Sequence, residues 1–162
     1  MNDDDDKFLQ DIVARQKAAN DANARRKAGE EEERRQEREE KHQMQSHWES
    51  LLRKIRQDVT KINDGLKDAG LSLAIKAESE KVPNDKPASN IKIDGLVITL
   101  NKSGKSVSFQ ELMFDVLWDG SIIISRTLER GKVDKLSEFK VLEADATMFH
   151  RTILNFIDKC VP

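Results

Sequence analysis

The apolar positions change their rhythm along the chain. Across residues 46–70, Trp48, Leu52, Ile55, Val59, Ile62, Leu66 and Ala69 follow a 4-3-4-3-4-3 spacing. That is the heptad seam of a helix whose face meets another helix or a sheet. Ser46, with Glu49 three residues on, predicts an N-cap and capping box, and Gly70 stands where a C-terminal cap belongs. Three heptads suit a coiled coil and packing on the following domain equally well, so both readings stay open. Trp48, Leu52, Ile55, Val59, Ile62 and Leu66 are therefore the first candidate interaction stripe.

From Leu71 the period becomes two. Leu71, Leu73, Ile75 and Ala77 predict a strand with one buried face, and Pro83 and Pro87 predict a loop over residues 80–90. Ile91 and Ile93 open a second strand that Leu96, Ile98 and Leu100 continue in the opposite phase. A β-bulge at Asp94-Gly95 would produce that flip. A turn over residues 101–105 follows.

Residues 106–118 admit two readings. Leu112, Phe114, Val116 and Trp118 alternate as in a strand, whereas Phe109, Leu112, Met113, Val116 and Leu117 would line a helix capped by Ser108 and Glu111. The hairpin signal Asp119-Gly120, with Ile122, Ile124 and Leu128 alternating beyond it, favours the strand. Polar residues 129–137, which include Gly131, predict a loop, and Phe139 with Val141 a short strand. Asp145 then caps a last helix, with Ala146, Phe149, Ile153, Phe156 and Cys160 on one face and Ile157 beside them. The expected fold is α+β. A long N-terminal helical, coiled-coil-like region precedes a four- or five-stranded antiparallel sheet, covered on one face by the C-terminal helix and the helix ending near Ala69.

The first 45 residues lack such a stripe. Phe8, Ile12, Ala19 and Ala22 recur only weakly at helical spacing, and Gly29 predicts a kink or the end of a first helix. Residues 30–41 carry seven acids and four bases. Glu30 with Arg34, Glu31 with Arg35 and Glu37 with Lys41 stand at i,i+4, each pair adding about 0.2–0.5 kcal/mol to an isolated helix. The chain thus divides into a charged, helical or partly disordered arm (1–45), an amphipathic heptad helix (46–70) and a compact α+β domain (71–162).

Composition sharpens this division. Of 162 residues, 32 charged ones fall in residues 1–70 and 26 in residues 71–162, and only Phe8 and Trp48 of the eight aromatics precede Gly70. The first region cannot build a core of its own. A net charge of −2 weighs against nucleic-acid binding by bulk charge. No apolar run nears the roughly 18 residues that would span a bilayer, and the acidic start is unlike a secretory signal. A soluble, cytoplasmic protein without membrane partners is expected. The string Asp3, Asp4, Asp5, Asp6, Lys7 has two readings: the recognition sequence of a tag-removing protease, or an acidic run complementing a helix dipole.

Candidate chemistry is sparse. Ser103-Gly104-Lys105-Ser106 carries the tail of a phosphate-binding loop, but Thr99 occupies the position of its first glycine, so a hairpin turn is the better reading. His42 and His47 lie on different sides of a helix, His150 flanks the last helix, and Cys160 lies on that helix's apolar face. No catalytic constellation, metal site or cofactor motif emerges, leaving an enzyme with a pocket between sheet and helix as a minor alternative. Arg126, Arg130, Lys132 and Lys135 form a possible anion-binding cluster, diluted by Glu129 and Asp134. The leading expectation is a non-enzymatic interaction or adaptor protein. It would form homodimers, or dock on another protein, through the helical arm. A nucleic-acid accessory role for the basic cluster, with Arg25 to Lys27, is the alternative and is not favoured.

Overall fold

In the computed structural model, which describes residues 3–79 and 92–161, the first element is one uninterrupted helix, α1 (Asp3–Leu66). It passes through Gly29, so the helix does not end there. A glycine costs a helix interior about 1 kcal/mol relative to alanine, too little to break a segment flanked by strong helix formers. Ser46 is also internal to α1, so the expected N-cap does not form: the preceding turn already satisfies its backbone. One 3-10 turn, Lys67–Ala69, ends the helical run, and Gly70 closes it in the left-handed region at φ 66°.

The chain forms two compact units, Met1–His42 and Gln43–Pro162. The described residues of the first are all helix, and residues 5–40 are all exposed. Its ion pairs run along its own surface. Arg26 reaches Glu30 at 3.7 Å, and Arg35 bridges Glu32 at 2.9 Å and Glu39 at 4.0 Å. These partners replace the Glu30–Arg34 and Glu31–Arg35 pairs that spacing predicted, since i,i+3 and reversed i,i+4 contacts compete on one crowded face.

The second unit holds the core. Five antiparallel strands lie in sequence order: β1 (Leu71–Ser79), β2 (Lys92–Lys102), β3 (Lys105–Leu117), β4 (Ser121–Glu129) and β5 (Lys132–Lys140). The 80–90 loop expected between β1 and β2 lies outside the described residues. Leu73, Leu96, Ile98, Leu100, Leu112, Phe114, Val116, Ile122 and Ile124 fill one face of the sheet. A 3-10 turn, Val141–Glu143, then leads to α2 (Ala146–Cys160). Asp145 caps α2 by accepting hydrogen bonds from the Thr147 and Met148 amides. Trp48, Leu51, Ile55 and Val59 of α1 join Phe149, Ile153, Phe156 and Ile157 of α2 in the same core. Full burial of each large side chain contributes about 1.5–3 kcal/mol.

Local chemistry sets the turns. Ser103 and Gly104 have φ of 51° and 75°, the primed turn whose twist suits a two-residue hairpin, and Lys102 pairs with Lys105 across it. The β2 register slips between Lys92 and Asp94, placing the bulge at Ile93, one residue before the Asp94-Gly95 step where the phase flip predicts it. Residues 106–117 take the strand alternative, as most of β3, and Trp118 falls in the turn that follows.

The polar stretch 129–137 is not a loop. From Lys132 onward it pairs with β4, so β5 is a full edge strand. Its register slips between Ser137 and Lys135, which turns Leu136 out of the alternation and into solvent. A bulged edge strand needs little apolar periodicity, because its backbone is held from one side only.

Candidate interaction surface

The heptad stripe is shared unevenly between the core and its margin. Trp48, Ile55 and Val59 are buried, while Leu52, Ile62 and Leu66 are partly buried against the same cluster. Leu51 is also buried, although it falls outside the 4-3 count. The sheet is broader than a partner helix and takes in a wider arc than an a/d seam. Of the two coverings left open by the heptads, the chain's own sheet is the one observed.

Polar contacts fix this packing. The buried Trp48 indole donates to Asp94 Oδ2 at 2.8 Å, and Asp94 Oδ1 accepts from the Gly95 amide at 2.8 Å. The Asn63 side chain donates to the Leu73 carbonyl at 3.0 Å and accepts from the Leu73 amide at 2.6 Å. It thereby occupies backbone groups of the edge strand β1. His47 Nε2 lies 3.0 Å from the Ala144 carbonyl, and His150 Nδ1 lies 2.5 Å from Asp58 Oδ2. Two of the three histidines thus tie α1 to the region of α2. Among the described residues, no group of His, Cys, Asp and Glu could hold a metal ion.

The basic cluster does not gather on one face. Arg126 pairs in register with Leu112 and Asp134, and its Nε is buried 3.6 Å from the Asp134 carboxylate. Lys135 stands opposite Ser125, one step out of phase with Arg126, and binds Glu138. Arg130 lies in the turn before β5, and Lys132 opens that strand. Two of the four cations are thus turned toward carboxylates of their own strand pair.

Cys160 is half-buried at the end of α2. Burial pushes its thiol up from 9.0 to about 11, against a smaller pull from the Arg126 charge. A thiol so held is a poor nucleophile at neutral pH. The Gly-Lys-Ser string belongs to the β2–β3 hairpin, where no helix N-terminus follows to receive a phosphate.

Among the described residues, four exposed apolar side chains cluster near the start of α1, and Val133, Leu136, Leu142, Leu154 and Val161 are exposed in the second unit. Phe8 and Val13 are each 66% exposed, and Leu9 and Ile12 are 48% and 46% exposed. Leu9 and Val13, together with Asp6, Gln10 and Ala14, line a shallow hollow on the helix. The helical spacing of Phe8, Ile12, Ala19 and Ala22 predicts two of the four near the start of α1, and Leu9 and Val13 lie outside it. The i, i+1, i+4, i+5 spacing of the four was the available signal.

No protein-family model matches the chain, and no curated protein or solved structure matches it either.

Proposed function

We propose that this is a non-enzymatic interaction protein whose docking element is the first unit of α1, acting through self-association or through another protein. The exposed Phe8, Leu9, Ile12 and Val13 carry this reading. A single helix has no second layer on which to bury such residues, and helices of this kind gain most of their stability from packing an apolar face. The compact unit has spent the Trp48 stripe on its own core, and its exposed Val133, Leu136, Leu142, Leu154 and Val161 are spread over several elements, whereas the arm's four fall within two turns of one helix. The sheet face opposite the helices, crossed by the register row Lys76, Val97, Met113, Ser125 and Lys135, would provide a second contact area. A cytoplasmic setting suits the free Cys160 and the lack of a disulfide framework. Among the described residues, no helix is long and apolar enough to cross a membrane.

The test compares the full chain with its Phe8→Asp/Ile12→Asp variant. Sedimentation would measure self-association, and affinity capture would measure partner binding. The reading expects at least one association that the variant loses while the thermal unfolding of the compact unit stays unchanged. A full chain that stays monomeric, and captures nothing the variant does not also capture, overturns it.

A further inference from the structure

Charge along the first unit of α1 comes in blocks. Residues 3–11 hold five acids and one base, residues 15–27 hold five bases and one acid, and residues 30–33 are four glutamates. The blocks therefore carry net −4, +4 and −4. Apolar size is divided along the same axis. Phe8, Leu9, Ile12 and Val13 stand in the acidic block and at its edge, and Ala18, Ala19, Ala22 and Ala24 lie within the basic block. Phe8, Ile12, Ala19 and Ala22 fall within one narrow arc of the helix, at about 100° per residue. Among the described residues, Asp5, Asp6, Arg25 and Lys27 make no ion pair within the chain, so their charges are available to a partner.

We infer that the occupant of this face is a second copy of the same helix, paired antiparallel about a centre near Arg15. This rests on the docking role proposed for the arm. Residue i of one copy then lies level with residue 30 − i of the other, so Asp5 and Asp6 come level with Arg25 and its neighbours at both ends. The same alignment brings the large side chains at 8–13 level with the alanine-rich stretch of the second copy. Small residues there let the two helix axes approach closely, and the large side chains fill the space left. A parallel, in-register pair would set −4 against −4 and +4 against +4 along its whole length, and like charges facing across helices are destabilising. Charge and size, two independent patterns, select the same orientation.

Sedimentation of the full chain over a concentration series tests the pairing. Wild type should form a dimer. Asp5→Lys/Asp6→Lys and Arg25→Glu/Arg26→Glu should each weaken it at least about tenfold, and all four changes in one chain should restore it. Circular dichroism should find the helix content unchanged in every variant. Orientation is read by cross-linking on a Cys160→Ser background. Mixed Asp5→Cys and Arg25→Cys chains should give the heterodimeric disulfide, with Asp5→Cys alone giving little. A dimer joined chiefly through position 5 to position 5 overturns the antiparallel arrangement and leaves the docking role intact. A monomer at every concentration overturns self-pairing. If Phe8→Asp/Ile12→Asp then still abolishes capture of another protein, the docking reading survives without it.

Discussion

Trp48 and Asp94 are joined by a 2.8 Å hydrogen bond that ties the helix face to the bulge of β2. The ring is 2% exposed, so its N–H has no water to fall back on. Asp94→Ala should therefore cost about 1–3 kcal/mol, the penalty of a buried donor left unpaired. In a Trp48→Phe background the same change should cost at least about 1 kcal/mol less, because the donor is already gone. Urea unfolding of the four proteins gives the coupling, and equal costs in both backgrounds would refute the bond's importance.

Asn63 acts on β1 as a neighbouring strand would, with one donor and one acceptor on the Leu73 backbone. Asn63→Ala should destabilise the compact unit by about 1–3 kcal/mol, since two backbone groups lose their partner. Asn63→Asp should not rescue it. A carboxylate retains the acceptor but faces the Leu73 carbonyl with a second oxygen. Chemical denaturation of the two variants beside wild type decides the point.

The Cys160 thiol, raised from 9.0 to about 11, should alkylate roughly a hundredfold more slowly at pH 8 in the native protein than after unfolding. Iodoacetamide labelling followed by mass spectrometry measures both rates. The raised value also makes stability pH-dependent. The contribution is complete below pH 9.0 and falls away as pH climbs toward 11, because the unfolded thiol ionises first. Cys160→Ala should remove that alkaline loss.

At the β3–β4 hairpin, burial of Asp119 pulls its carboxyl upward. The Ser121 amide and hydroxyl, with the Lys140 ammonium, outweigh it and hold the group below its usual 3.8. Its contribution to stability is thus present above pH 3.8 and is lost as pH falls through the folded value. Asp119→Asn should flatten the acid limb of a stability–pH profile. An unchanged profile would mean that the hairpin does not depend on the charge.

Much of the compact unit is legible in its residues. The two-residue period of Leu96, Ile98 and Leu100, the phase flip at Asp94 and the Asp119-Gly120 signal are local, and each produced the element it predicted. The cap at Asp145 is local too. What escaped reading depends on surroundings. β5 has no alternation because it is an edge strand with a bulge at Leu136, and α1 carries Gly29 and Ser46 because helix on both sides outweighs one weak residue. The bonds from Trp48 to Asp94, Asn63 to Leu73 and His150 to Asp58 join residues that only the packed fold brings together. The same limit applies to the arm, where Phe8 and Ile12 were visible but the unpacked state of their face was not.

The ring centroids of Trp48 and Phe149 lie 6.2 Å apart, and all five strands lie between them in sequence. Each strand finds its partner in the one just made, so the sheet can assemble as the chain lengthens. Its apolar face cannot be sealed on the same schedule, because α2 follows every strand. For as long as synthesis has not reached Phe149, Ile153 and Phe156, the nascent protein presents a greasy half-finished surface. Its arrival in a cell therefore has a vulnerable interval, closed by the last fifteen-residue helix.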